Sequence, residues 1–325
     1  MKATAIAPSN IALTKYWGKK DEELRLPENG SISMCLSNLL TTTTVEFSSK
    51  YEKDSVKING EVEEGEESRV IEHLDRIRQL AKISLRAKVV SNNNFPSGTG
   101  LSSSASGFAA LTLACAKAAG LNLSEKELSI LARQGSGSAC RSIPDGFVEW
   151  LDGKTSETSF AKTIFPESHW NIVDVVAIVS EQRKDIGSTK GMSEARSSLF
   201  MPVRVQSMRA KNKLLKKLIK ERNFKEFGEL IEAEALEFHS VVFTQIPPII
   251  YWTPNTVKLM KLVQIWRKAG LDVYFTINTG QDIHLIIEQK NIDKLTKLLK
   301  QVPEIKEIII NYPGQGTRLT TKHLF

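Results

Sequence analysis

A chain of 325 residues is long enough for two domains at roughly 150 residues each and can bury a substantial core. Apolar residues make up 41% and charged residues 25%, the balance of a folded globular protein, which excludes a disordered chain, a collagen-like repeat and a coiled-coil rod. Its 44 basic and 37 acidic residues leave a net charge of +7, which suits anionic ligands of many sizes and by itself selects neither phosphates nor nucleic acid.

No apolar run approaches the ~20 residues that span a bilayer, and Met1 to Pro8 lacks the apolar core of a signal peptide, so a cytoplasmic location without a membrane partner is expected. Cys35, Cys115 and Cys140 have no CxxC spacing and are odd in number. They predict small buried residues rather than a disulfide framework or a zinc cluster.

In chain order, residues 3–6 read as a strand leading into a turn at residues 7–10, where Pro8 and small polar residues interrupt the pattern. Residues 11–19 follow as a strand-like segment, in which alternation would place Lys15, Trp17 and Lys19 on one side and Tyr16 on the other. Two lysines on an exposed sheet edge would look the same. The β-branched run through Thr41–Val45 predicts another strand. Over residues 67–82, Val70, Ile71, Leu74, Ile77 and Leu80 recur at helical spacing. A strand is expected at 84–90, then a loop of small polar residues, then an alanine-rich helix at 108–119 ended by Gly120. Ser124 with Glu127 reads as a capping box, and Gly135 as the stop of the next helix.

Residues 173–179 predict a buried strand, and the polar loop 184–192 suggests a division into domains 1–185 and 186–325. The second half reads as helix from 207 to 243, helix from 256 to 269, strand at 273–277 and a helix-strand unit at 292–310. The fold class expected is α+β.

The loop ahead of the alanine-rich helix is the most informative stretch. Gly98, Gly100, Ser102, Ser103 and Ser104 offer unhindered N–H groups and hydroxyls at a helix N-terminus, a combination that suits nucleotide phosphates. An ordinary loop before a helix has the same composition. It is not a Walker A loop, because Val148 stands where the first glycine before Gly153-Lys154-Thr155 would have to be, and no GxGxxG run occurs. A second small-residue loop, residues 135–142, carries Arg141, able to grip a carboxylate or phosphate through two parallel hydrogen bonds. The histidines show no HExxH spacing and there is no GxSxG elbow. The basic run from Arg209 to Arg222 interleaves Leu214, Leu215, Leu218 and Ile219 and predicts an amphipathic helix rather than a nucleic-acid site.

Taken together, residues 10–19, 26–33, 93–107, 135–141, 146–150, 184–192, 237–240 and 247–251 resemble the diphosphomevalonate decarboxylase family, in order and over nearly the whole chain. That family belongs to the GHMP small-molecule kinases. The resemblance implies a first domain like ribosomal protein S5 domain 2, a ferredoxin-like second domain, and a site in the cleft between them. It implies a reaction that uses ATP and Mg2+ to phosphorylate the tertiary 3-hydroxyl of 5-diphosphomevalonate, after which phosphate and carbon dioxide leave to give isopentenyl diphosphate. ATP contacts would come from Ser91, Asn93, Pro96, Gly98, Gly100, Leu101, Ser102, Ser103, Ser104 and Ser106. The substrate's diphosphate would lie against Tyr16, Lys19, Arg69, Ser136 and Ser188, with its carboxylate on Arg141, its 3-hydroxyl near Lys15, and Ser138 as a further substrate contact. No protein metal ligand is assigned, no nucleic acid is expected, and a homodimer is the assembly common among similar enzymes.

One position departs from the family. Where its pattern reads Phe-Thr-Met-Asp-Ala-Gly-Pro-Asn, this chain has Phe275-Thr276-Ile277-Asn278-Thr279-Gly280-Gln281-Asp282, so the catalytic aspartate is Asn278. An amide neither accepts a proton as a carboxylate does nor stabilises a cationic C3 to the same degree. The sequence leaves open a variant that stops at the 3-phosphate, a variant using another base such as Asp282, and a deliberately changed aspartate. It also leaves open a substrate with one phosphate, or none, at the 5-position, although Lys19, Ser136 and Ser188 favour the diphosphate.

Overall fold

The computed structural model describes residues 1–62, 64–180, 182 and 184–325. Strands run in the order β1 (Lys2–Thr14), β2 (Lys19–Asp21), β3 (Leu26–Pro27), β4 (Ser31–Ser48), β5 (Ser55–Ile58), β6 (Arg86–Asn93), β7 (Phe147–Trp150), β8 (Ala161–Phe165), β9 (Ile172–Ile178), β10 (Val273–Thr276), β11 (Ile283–Glu288), β12 (Glu307–Asn311) and β13 (Arg318–Thr320). Helices are α1 (Glu64–Ala81), α2 (Ser103–Ala118), α3 (Glu125–Gly135), α4 (Ser188–Ser193), α5 (Met201–Glu221), α6 (Phe224–Thr244), α7 (Pro254–Lys268) and α8 (Ile292–Leu299). Helices and mixed sheet in this arrangement make an α+β protein. Among the described residues no helix is long and apolar enough to cross a membrane.

The first sheet is ordered β13-β1-β4-β6-β5, with β7 and β8 joined to the other end of β4. Its one parallel pair, β5 with β6, is bridged by α1, whose Val70, Leu74 and Ile77 pack with Val45, Phe47, Val56 and Val89. Against the same layer lies α2, whose alanines allow close approach to the sheet. The capping box of Ser124 and Glu127 starts α3 as the sequence predicts.

The second sheet is ordered β10-β11-β9-β12 and is antiparallel throughout. On one face, Val173, Val175, Leu285 and Ile287 pack with Leu259, Val263, Leu295 and Leu299 of α7 and α8. Its other face contributes Val176, Ile178, Tyr274 and Ile286 to a core shared with Ile11, Leu13, Ile32 and Met34 of the first sheet and with α5 and α6. The seam between the sheets is therefore continuous apolar core, and the polar cleft opens beside it.

Several sequence expectations are corrected. There is no turn at Pro8; β1 runs through it with register shifts, and a bulge is where a strand tolerates proline. The strand ends at Thr14, so alternation does not govern Lys15 to Lys19: Tyr16 joins Lys15 and Lys19 in lining the cleft, while Trp17 turns into a core with Phe238 and Ile249 and donates to Gln245 Oε1 at 3.1 Å. The expected helix 207–243 is two helices, broken where Arg222 adopts a left-handed φ of 55°. The loop 184–192 contains α4, and β11 went unread. β9, ahead of the division expected at residue 185, is an inner strand of the second sheet, and β13 returns to the first sheet. Cys35, Cys115 and Cys140 are free and buried.

Candidate active site

A cavity of about 700 Å³ lies between the end of β1, the loop into α2, the loop after α3, and the segments at 184–192 and 278–279. Seven basic side chains line it, Lys15, Lys19, Arg25, Arg69, Arg141, Lys184 and Lys190, against a single described carboxylate, Glu66. Glu66 is itself neutralised by Arg69, whose Nη1 donates to both of its oxygens at 2.8 and 3.0 Å. Such an imbalance in a cleft favours a polyanion.

The phosphate-like loop is built by backbone geometry. Gly98 and Gly100 have φ of 78° and 112°, and Ser102 adopts a left-handed φ of 59° immediately before α2. No side chain caps the first turn of α2, which leaves its leading N–H groups and the Ser103 and Ser104 hydroxyls for an anion. Gly100 packs on Gly280, the turn that follows Asn278. A Cβ on Gly280 would lie 2.1 Å from the Thr99 carbonyl oxygen and 2.5 Å from Gly100 Cα. Both are backbone atoms, so Gly280→Ala must push the loop and the turn apart. We expect this substitution to weaken ATP binding at least tenfold by calorimetric titration; unchanged binding would show that the contact does not set the loop.

At the floor of the cavity, Lys15 is 2% exposed. Its Nζ donates to the Ala12 carbonyl at 2.6 Å, to Thr276 Oγ1 at 2.7 Å and to Asn278 Oδ1 at 3.2 Å. Burial pushes the Lys15 ammonium down to about 7; Arg141 and Arg204 add to the fall, while Glu234 and Asp174 oppose it. The Lys15 backbone is clamped by Glu234 of α6, Arg204 of α5 and Asn29 ahead of β4. Its N–H donates to Glu234 Oε1 at 2.8 Å, and its carbonyl accepts from Arg204 Nη2 at 3.0 Å and from Asn29 Nδ2 at 2.9 Å. Arg204 and Glu234 form a buried two-point ion pair. The Asn278 amide donates to Ser102 Oγ at 3.0 Å, tying this floor to the phosphate-like loop.

Arg141 is 4% exposed, donates through Nη1 to Ser31 Oγ at 2.9 Å, and leaves its buried Nε without a protein partner, so it retains donors for an anion. Tyr16 lies edge-on to Trp150 at 4.6 Å, and burial raises its phenol above the ordinary range. Lys19 pairs with Glu22, and Ser136 and Ser138 line the same wall. On the opposite side Ser188 shares a 2.6 Å hydrogen bond with Thr279. Ser91 and Asn93 line the cavity from β6, not from a loop, held by Thr43 and Thr41 respectively.

Three expected ATP contacts do not line the cavity. Leu101 is buried in the apolar seam, Ser106 bonds Thr41 Oγ1 at 2.6 Å, and Pro96 sits half-buried on the loop. Asp282 is also outside it: its Oδ1 accepts from the Val179 N–H at 3.0 Å, and burial pushes its carboxyl up to about 6. Asp282 therefore does not stand in for an aspartate at 278.

Sequence reasoning missed Lys184. Its Nζ donates to Ser188 Oγ at 2.9 Å and to the Thr279 carbonyl at 2.9 Å, its N–H donates to the Gly98 carbonyl at 3.1 Å, and burial lowers its ammonium to about 8. Its place beside Gly187 and Ser188 in a polar segment was the available signal. Thr276, Arg204 and Glu234 gave none, being remote in sequence from Lys15.

Known proteins match this geometry. Residues 7–161 match the family described as diphosphomevalonate decarboxylase-like N-terminal domain, and residues 174–320 the mevalonate 5-diphosphate decarboxylase C-terminal domain. The chain is 38% identical to the diphosphomevalonate decarboxylase of Candida albicans over 91% of this chain and 87% of that protein. It is 38% identical to the human one over 85% and 74%. A structure of MDDEF in complex with MVAPP, AMPPCP and magnesium superposes with a TM-score of 0.93 at 38% identity, covering 98% of this chain and 99% of that one. The mevalonate diphosphate decarboxylase of Staphylococcus aureus superposes at 0.92 with 36% identity and 98% of each chain covered.

Proposed function

The chain belongs to the diphosphomevalonate decarboxylase family, and from that premise we propose that its cleft decarboxylates (R)-5-diphosphomevalonate at the expense of ATP, giving isopentenyl diphosphate, ADP, phosphate and CO2. This is a step of the mevalonate pathway of isoprenoid biosynthesis. The observation that carries the reading is the seven-to-one excess of cations around a glycine-serine loop at a helix N-terminus, which suits a nucleotide and a diphosphate held side by side.

In this reading the Gly98 to Ser104 loop and the start of α2 hold the ATP phosphates, with Lys184 pinning the loop to Thr279. Tyr16, Lys19, Arg69, Ser136, Ser138 and Ser188 receive the substrate's diphosphate, and the free donors of Arg141 fix its carboxylate. The substrate's 3-hydroxyl then points to Lys15 and Asn278, in line with the γ-phosphate. Among the described residues no three His, Cys, Asp or Glu side chains converge on one point. The Ser103 and Ser104 hydroxyls fit Mg2+ that is held mainly by the phosphates and keeps its waters. Bound there, Mg2+ would neutralise charge on the β- and γ-phosphates.

The finer fold assignment is an S5 domain 2-like first domain and a ferredoxin-like second domain of the GHMP kinase type, supported by the four-stranded antiparallel sheet with α7 and α8 on one face. A cytoplasmic location is supported by three unpaired cysteines.

The test is one reaction with protein, ATP, Mg2+ and 5-diphosphomevalonate in which ADP and CO2 are quantified over one time course. Equal amounts are expected, with 5-phosphomevalonate a poorer substrate. Neither product from the diphosphate would overturn the reading.

A further inference from the structure

We propose that in this chain Lys15 is the proton acceptor for the substrate's 3-hydroxyl, and that it returns the same proton to the phosphate leaving C3. The inference rests on the function proposed above and concerns how that reaction proceeds without a carboxylate at 278.

The cavity offers few alternatives: Lys184, whose ammonium burial also lowers, bonds Ser188 and Thr279 and makes no hydrogen bond to the Asn278 side chain. The cavity's one described carboxylate, Glu66, is tied to Arg69 through both oxygens, and Asp282 lies outside. His239 stands behind Asn278 with its Nε2 on the Asn278 carbonyl at 3.1 Å, and burial, with the nearby Lys15 charge, lowers it to about 3. Lys15 Nζ, at 3.2 Å, is the basic nitrogen in contact with the Asn278 side chain.

The partners of Lys15 suit both of its protonation states. The Ala12 carbonyl at 2.6 Å and Asn278 Oδ1 at 3.2 Å can only accept, and between them they take the two N–H groups of an uncharged amine. The third partner, Thr276 Oγ1 at 2.7 Å, is a hydroxyl that can donate to the amine's lone pair or, after rotation, accept from an ammonium. Every N–H of either state has an acceptor, so the nitrogen can gain and lose a proton without moving a heavy atom. Entering from the cleft, the substrate hydroxyl replaces Thr276 as donor to that lone pair.

Charges surround the amine from every packed element: Glu234 and His239 from α6, Arg204 from α5, Arg141 from the turn after α3, and Asp174 from β9. Burial, Arg141 and Arg204 together outweigh Glu234 and Asp174 and hold Lys15 at about 7, near the pH at which an acceptor that must also donate works best.

The steps balance. As the 3-oxygen attacks the γ-phosphorus, its O–H bond breaks and the proton passes to Nζ, while the bond from that phosphorus to ADP breaks with its electron pair leaving on ADP. The 3-phosphate first takes the proton back from Lys15, and the C3–O bond then breaks with its electron pair leaving on the phosphate. The pair of the bond to the carboxylate becomes the carbon-carbon double bond as CO2 departs. Lys15 is thus uncharged when positive charge develops at C3.

Single-turnover ADP formation by the wild-type protein should rise through about pH 7 and level off above it. Asn278→Asp supplies its own carboxylate and should flatten that limb between about pH 6 and 8. Lys15→Arg keeps the charge and cannot release a proton, so ADP formation should fall by about 10²-fold or more with KM values within about threefold of wild type. A wild-type rate that is flat across this range, or a Lys15→Arg rate within about tenfold of wild type, overturns the role of Lys15. A wild-type protein that forms no ADP at any pH overturns the proposed function itself.

Discussion

Asn278→Asp is expected to raise the rate of CO2 release by about 10²- to 10³-fold, the scale set by losing or gaining one preorganised electrostatic contact in a dry site. Aspartate is isosteric with asparagine, so the 3.2 Å contact with Lys15 Nζ becomes an ion pair without repacking. The Ser102 hydroxyl, which accepts from Asn278 Nδ2 at 3.0 Å, can rotate to donate instead. In the proposed binding mode the new negative charge lies beside C3, so the CO2-releasing step should gain more than phosphoryl transfer. Quenched-flow measurement of ADP and CO2 separates the two steps. An unchanged CO2 rate would mean that charge at 278 does not limit decarboxylation in this protein.

Glu234→Gln should destabilise the fold by about 3–5 kcal/mol, because it leaves the Arg204 guanidinium buried without its anion. Glu234 is 0% and Arg204 3% exposed, so water compensates neither. Burial alone would raise the Glu234 carboxyl, yet Arg204, the Lys15 N–H and Lys211 together hold it below the usual 4.5. A depressed carboxylate contributes stability that is fully present above its unfolded value and is lost as pH falls through its folded value. The difference between wild type and Glu234→Gln in urea unfolding should accordingly shrink below about pH 4.5. Adding Arg204→Met to Glu234→Gln should recover part of the loss, since no charge is then stranded. The same substitution removes a charge that raises Lys15, so the pH limb of ADP formation should move to lower pH. If Glu234→Gln unfolds at the wild-type urea concentration at every pH, the clamp contributes nothing.

Much of the site could be read in the sequence where function rests on a contiguous run. Gly98 to Ser104 pointed to an anion loop because glycines and hydroxyls precede an alanine-rich helix, a composition that an ordinary loop shares, and Arg141 stood out in a run of small residues. The second layer could not be read. Glu234 and Arg204 meet Lys15 through its backbone, and no side-chain pattern near Lys15 encodes a partner some two hundred residues away. Periodicity failed where the local chain was irregular: Tyr16 and Trp17 exchanged faces because β1 stops at Thr14 and the chain bends through Gly18, whose φ of 81° strands do not adopt. Asp282 shows the same limit, since only the observed turn decides that it faces Val179.

The return of β13 to the edge of β1 has a mechanical consequence. The chain passes from the first sheet to the second once, after β8, and passes back once, before β13, near the Leu36–Pro313 bridge. Two bodies tethered at one point can twist about it freely, whereas two tethered at separated points can only swing about the line joining them. Here the two crossings flank a shared apolar seam, so parting the sheets to widen the cleft would expose Ile11, Leu13, Val176 and Ile286 to water.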